Sequence, residues 1–219
     1  MPTLAIAATG ISLRIGNGVS PGGATIGNAT NTTPIVITTL TAHGIADVSV
    51  VTVTGVLGTT GANGTWTARR TSTTQLELQG SIGNGPYGGG GTVTITETFA
   101  TIAEVTNISD AGVVLAFVDA SAHDGSGWST RIPTLASGNM VRLDLNFVPT
   151  NATHNATTGL NHLMLAKIRT NFLLVFPNTT KTSWRFTGYV AQMREAAPVA
   201  GVLTSSVTLE MSDQPILAA

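Results

Sequence analysis

The sequence predicts an all-β protein with a single helix, and three observations carry that expectation. Charged residues make up 10% of the 219, against roughly 25% in an average soluble chain, while threonine, valine and the 25 glycines are abundant. Short stretches of alternating apolar and polar residues recur between Gly, Asn and Pro clusters, the pattern of strands joined by turns. Only residues 157–168 space their apolar side chains as a helix does, with Leu160, Leu163, Met164 and Ile168 on one face and Lys167 and Arg169 at the end where the dipole favours cations.

Taken in order, residues 11–15 alternate as a short strand and run into a turn cluster at Asn17-Gly18 and residues 20–23. From about residue 22 to 94 the composition shifts to Thr, Gly, Val and Asn, with Asp47, Arg69, Arg70 and Glu77 as the charges. Strands are expected at 34–39, 48–54, 65–70, 75–79 and 92–96, linked by turns such as Asn63-Gly64 and the glycine run 88–91. Short strands at this density fit a small barrel or sandwich, and Ile35, Ile37, Val51, Val53, Trp66, Leu76 and Leu78 give it a core of its own. Residues 22–95 therefore read as a small β domain inserted into a discontinuous domain of residues 1–21 and 96–219. Compact domains tolerate such insertions because their ends lie close together.

The interrupted domain resumes with a strand at 99–108. Residues 112–118 are apolar throughout and read as another. Residues 140–147 alternate strictly: Val141, Leu143, Leu145 and Phe147 face one way, and Arg142, Asp144 and Asn146 the other. That is a strand with one packed face and one wet face. Between these two runs, residues 119–139 show no periodicity and read as a loop of roughly 20 residues, long enough to be functional. Trp128, Ile132 and Leu135 give that loop something to bury. Further strands are expected at 171–176, at 183–192 with Trp184, Phe186 and Val190 on one face, and at 203–211 with Val207 and Leu209 opposite Thr208 and Glu210.

The composition excludes several functions. Ten Lys and Arg against eleven Asp and Glu give a net charge of −1, without the basic surplus that grips phosphates. Without cysteine there are no disulfides, thiolate metal sites or Cys nucleophiles. The N-terminus lacks a signal peptide's basic and apolar regions, and no apolar run is long enough to span a membrane, so synthesis in a cytosol is expected. Asp119, His123 and Asp124 resemble a fragment of a metal site but read better as a solvated loop. His154 and His162 have no neighbouring carboxylate in sequence to orient them, and no nucleophile elbow, phosphate loop or dinucleotide fingerprint occurs. The chain is read as a non-enzyme, without metal or cofactor. Trp66 and Tyr87 could form a sugar-stacking platform, with barrel core as the simpler reading.

With residues 22–95 set aside, Gly10-Ile-Ser-Leu-Arg-Ile-Gly-Asn-Gly-Val-Ser-Pro21 runs into Thr98-Phe-Ala-Thr-Ile-Ala-Glu-Val-Thr-Asn-Ile-Ser109. Val118-Asp-Ala, Trp128, Ile132-Pro133 and Leu143-Asp-Leu-Asn-Phe147 follow. Then come Leu173-Leu-Val-Phe-Pro177, Trp184-Arg-Phe-Thr-Gly188 and Leu203-Thr-Ser-Ser-Val-Thr-Leu209. This ordered set, over about two-thirds of the chain, resembles the major tail tube protein of long-tailed, siphovirus-type bacteriophages. The inserted segment, with His43-Gly44 and Ala62-Asn-Gly-Thr-Trp66, resembles a small β-barrel module that recurs in phage structural proteins.

The resemblance implies a β-sandwich or barrel whose sheets join in a hexameric ring, with rings stacked into a tube that conducts DNA from capsid to host. It also implies a tape measure protein and DNA transiently in the lumen, tail tip and tail terminator partners, and a place in the virion tail after assembly in the host cytoplasm. On that reading Arg142, Asp144, Asn146, Thr208 and Glu210, which alternate with core residues, line the lumen. The loop 119–139 makes the ring-to-ring contact through Asp124, Trp128, Arg131, Ile132 and Leu135. The alternative is a carbohydrate- or receptor-binding virion protein that engages host surface glycans through residues 22–95.

Overall fold

The alternation read in the sequence becomes strands, most of them with one covered face. The computed structural model describes residues 9–16, 23–121 and 128–218. In chain order the strands begin with β1 (Ser12–Gly16), β2 (Gly23–Ala29), β3 (Ile35–Thr39), β4 (Ser49–Thr54), β5 (Gly64–Arg70), β6 (Gln75–Gln79) and β7 (Thr92–Glu97). Next come β8 (Phe99–Thr101), β9 (Val105–Ser109), β10 (Val113–Asp119), β11 (Arg131–Gly138) and β12 (Met140–Asn146). The helix α1 (Leu160–Leu165) precedes β13 (Thr170–Val175), β14 (Ser183–Ala196), β15 (Thr204–Met211) and β16 (Ile216–Ala218). The protein is thus all-β with one α-helix among the described residues.

The chain divides into two compact units. The first takes in the described residues up to Thr101, together with Phe172–Arg185 and Leu217; the second takes in Ile102–Asn171 and Phe186–Ile216.

In the first unit, β2 to β7 close into a barrel of order β2-β3-β6-β5-β4-β7, every pair antiparallel. Closure removes the exposed edges that a six-strand sheet would otherwise present. Ile35, Ile37, Val51, Val53, Leu76, Leu78 and Val93 are fully buried inside it, as period-2 patterning requires. β2 is a strand the sequence concealed. Its inward residues Ala24 and Ile26 are few, and Gly27 bulges against β3, where Ile26 opposes Thr39 but Asn28 opposes Thr38. A Cβ at Gly27 would meet Leu40 at 2.6 Å. Outside the barrel this unit holds β1 between β8 and β13, with Leu13, Ile15 and Phe172 to Val175 buried.

In the second unit, β12 lies between β9 and β15, and β15 pairs in turn with the later part of β14. Val141, Leu143, Leu145, Val207 and Leu209 form the covered face. The expected strand at 99–108 is two strands, because the chain turns at Glu104 (φ 56) between β8 and β9. The expected helix over 157–168 shortens to α1. The Asn155 carboxamide oxygen accepts the N–H groups of Thr157, Thr158 and Gly159, holding the approach as turns, and Lys167 (φ 55) ends the helix.

The expected loop 119–139 is corrected most. Its second half is strand β11, which pairs with β10 as a two-stranded antiparallel hairpin. β11 escapes sequence reading because its pattern is broken. Thr134 and Leu135 together oppose Ala116 in a bulge, and Pro133, which has no N–H to give, stands beside it.

Candidate functional site

Two surfaces of the second unit stand out, one polar and one apolar. The polar surface is the exposed face of β9, β12, β15 and β14. Because β12 and β15 alternate in register, Arg142 opposes Thr208, Asp144 opposes Ser206, Asn146 opposes Thr204 and Met140 opposes Glu210. The structure thus brings Arg142, Asp144, Asn146, Thr208 and Glu210 onto one face. The rows continue outward: Asn107, Asp144, Ser206 and Arg194 form one, and Ser109, Arg142, Thr208 and Gln192 another.

Opposite charges are spread along this face. Arg142 pairs with Asp110 at 3.5 Å, both exposed. Asn107 donates to the Asp144 carboxylate at 3.2 Å, and Asn146 to Glu104 at 3.3 Å. Thr106, Asp144, Arg194, Glu195, Thr204 and Ser206 line an open hollow of about 380 Å³. Sequence reasoning missed Arg194 and Gln192. An extra residue in β14, Ala191, shifts its phase so that Met193 turns inward and Gln192 and Arg194 turn out. Strict alternation from Trp184 onward would have placed them on the covered side.

The apolar surface is the β10–β11 hairpin. Every residue of β10 is exposed, although its sequence is that of a strand covered on both faces. Leu115 is 50% exposed, Phe117 56%, Ile132 51% and Leu135 78%, and Trp128, just before β11, is 85% exposed. Trp128, Ile132 and Leu135, expected to make a contact between rings, are thus left exposed on the subunit. Arg131 sits opposite Asp119 at the hairpin's outer end. Asp124 and His123 lie outside the described residues. The Asp119 carboxyl is held below its ordinary range by bonds from the Ser121 hydroxyl and N–H.

The root of the hairpin is well defined. Asn139 donates its N–H to Gly112 and its side-chain amide to the Asp110 carbonyl. Gly138 lies so close to Met211 that a Cβ there would come within 2.5 Å of the Met211 Cβ.

Three other sequence candidates, His154, Trp66 and Tyr87, have structural roles. His154 is fully buried, accepts the Val148 N–H at Nδ1, donates from Nε2 to the Ala103 carbonyl, and stacks on Phe147. Trp66 and Tyr87 both pack against the barrel core. Trp66 Nε1 donates to the Ala62 carbonyl, and the Tyr87 hydroxyl donates to the Ile26 and Gly90 carbonyls. Among the described residues no group of three or more His, Asp or Glu is placed to hold a metal ion, and no helix is long and apolar enough to cross a membrane.

No family model matches the chain, and no curated protein sequence matches it. Among solved structures, a chain from the virion of a native gene transfer agent particle is similar at TM-score 0.46 and 12% identity, over 55% of this chain and 89% of that one. A chain of the six-fold symmetrised anti-feeding prophage baseplate is similar at TM-score 0.42 and 11% identity, over 55% and 83%. One from the tube-terminating cap of the anti-feeding prophage is similar at 0.41 and 15%, over 54% and 83%.

Proposed function

We propose that this chain is a structural virion protein, a tail tube subunit whose hexameric rings stack into the conduit for viral DNA. The observation that carries this reading is the β10–β11 hairpin, whose apolar side chains are about half exposed or more among the described residues. An exposed apolar surface of this kind marks a protein interface. Further copies of the chain supply the cover, through a ring-to-ring contact assigned to Asp124, Trp128, Arg131, Ile132 and Leu135. The polar face carrying Arg142, Asp144, Asn146, Thr208 and Glu210 then lines the lumen. Its mixed charges suit passage, since a uniformly basic wall would hold phosphates.

On this reading the chain is not an enzyme. It assembles in the host cytoplasm and resides in the virion tail, with a tape measure protein and DNA passing through it and tip and terminator proteins at its ends. Residues 22–95 form the inserted barrel, and residues 1–21 with 96–219 the tube domain. The alternative, glycan binding through the barrel, rests on Trp66 and Tyr87, which are half-buried and packed against the barrel core with their polar atoms bonded to backbone carbonyls.

Electron microscopy of the purified full-length chain tests the proposal. Stacked rings with an open channel are expected; monomers or closed small oligomers at high concentration would overturn it.

A further inference from the structure

The turn between β3 and β4 carries features that folding of the barrel does not require. Val48 has φ 57, a left-handed conformation that a β-branched residue adopts only under strain, yet it is 1% exposed. Its side chain leaves the barrel core and packs instead with Leu173 and Val175 of β13 and with Phe99 of β8. The residue before it, Asp47, is held from three directions. Its carbonyl accepts Arg14 Nη1 of β1 at 3.1 Å, its Oδ1 accepts the Arg70 N–H at 3.0 Å, and its Oδ2 accepts Lys181 Nζ from the β13–β14 connection. Lys181 is itself strained, at φ 51. Close by in sequence and contact, Gln79 Nε2 donates to the carbonyls of Thr180 and Lys181 at 2.9 and 3.4 Å. All these residues belong to the first unit.

Costs and gains meet at one place here. Both sides of the contact hold a non-glycine residue in left-handed conformation. Arg14 Nε and Gln79 Oε1 are buried without a protein partner. Against these stand the burial of Val48 and the charge-assisted bonds to one carboxylate. A strained contact held closed by few bonds is the construction of a separable dock, because opening it recovers the strain and rehydrates the orphaned atoms.

We infer that the turn at residues 46–49 is a latch, with Val48 as the plug and Asp47 as the catch, which fixes the barrel against β1, β8 and the β13–β14 connection and can open without unfolding the barrel. The barrel is then a fixed fitting in the closed state and a swinging one in the open state. Arg14, Arg69 and Lys181 are the charged groups acting on the catch, and Arg70 acts on it through its backbone N–H.

Hydrogen exchange on the full chain, comparing wild type with Asp47→Asn and with Lys181→Met, tests the inference. The expected result in either variant is roughly ten-fold faster exchange at the Arg70 and Lys181 amides, the scale set by losing a partly exposed charge-assisted bond. The amides of Val51, Leu76 and Leu78, deep in the barrel, keep wild-type protection. Because Asp47→Asn could disturb the turn itself, the Lys181→Met variant and the double variant complete a cycle, with the double expected to exchange no faster than either single. Acceleration spread evenly through the barrel would show that the turn is part of its core and overturn the latch. So would unchanged exchange at Arg70 in both single variants.

Discussion

The barrel and the β10–β11 hairpin use apolar residues to opposite ends. The barrel sequence is rich in threonine and glycine, and its Val, Ile and Leu residues at alternate positions are nearly all buried. The hairpin's first strand is more apolar, residue for residue, and none of it is buried. A closed barrel supplies each strand with two neighbours and a shared interior, so its hydrophobic driving force is spent within the chain. A two-stranded ribbon has no interior and is marginal alone in water. Apolar content therefore measures how much surface must be covered, while topology decides whether the same molecule does the covering.

The sharpest way to break this comparison is to make the hairpin polar. Leu115→Ser with Leu135→Ser is expected to abolish long tubes in electron micrographs. Circular dichroism and the unfolding midpoint should stay within the small range of surface substitutions, about 0.5 kcal/mol. Loss of folding in that variant would mean that the hairpin belongs to the subunit's own core. The converse change in the barrel, Ile37→Ala, is expected to destabilise by about 2–5 kcal/mol in denaturant unfolding, because it opens a cavity at a fully buried site.

Between these lies the hairpin root. Gly138→Val would force a Cβ against the Met211 Cβ, and overpacking of this sort costs roughly 1–3 kcal/mol. Its expected signature is a modest drop in melting temperature with tubes that form at higher protein concentration. A smaller effect is expected on the polar face, where Asp144→Lys with Glu210→Lys should leave tubes intact and slow DNA release in an ejection assay, since added cations attract phosphate. Unchanged release kinetics would count against a lumenal position.

The smallest effect separates the two regions by pH. His43 is buried in the barrel unit, accepting the Ile45 N–H at Nδ1 and bonded through Nε2 to the Ser72 carbonyl. Burial, with the charge of Arg70, lowers its pKa, and the Ser72 bond only partly opposes this. A group depressed on folding gives its full stabilisation above the unfolded value, about 6.5 for histidine, and loses it as pH falls from there toward the folded value. Barrel stability should therefore decline below about pH 6.5. In a His43→Gln variant, thermal melts should be flat across that window.

Much of the fold was legible in the sequence because period-2 alternation reports a strand with one covered face. β12 and β15 were read together with their inward and outward residues, and five of the six barrel strands were located. The misses share a cause, a bulge or a captured turn that breaks periodicity. Gly27 hides β2, the Thr134–Leu135 bulge hides β11, and Ala191 reverses the phase of β14 and so hides Arg194. Asn155 shortens the helix by offering backbone N–H groups a competing acceptor. The exposure of β10 was not legible, although Trp128, Ile132 and Leu135 were assigned to a contact between rings. Apolar residues in a row report a need for cover and carry no information on whose chain provides it.

One more consequence follows from the pairing of the barrel's first and last strands, Gly23 opposite Thr94 and Thr25 opposite Thr92. The chain arrives and departs side by side at one pole, while the connections at residues 30–34, 55–63 and 80–91 gather at the other and contain no Asp, Glu, Lys or Arg. Ends this close together are the geometry that an inserted segment needs, since a short linker could join them in its place. The uncharged pole is the natural place to splice a foreign peptide for display.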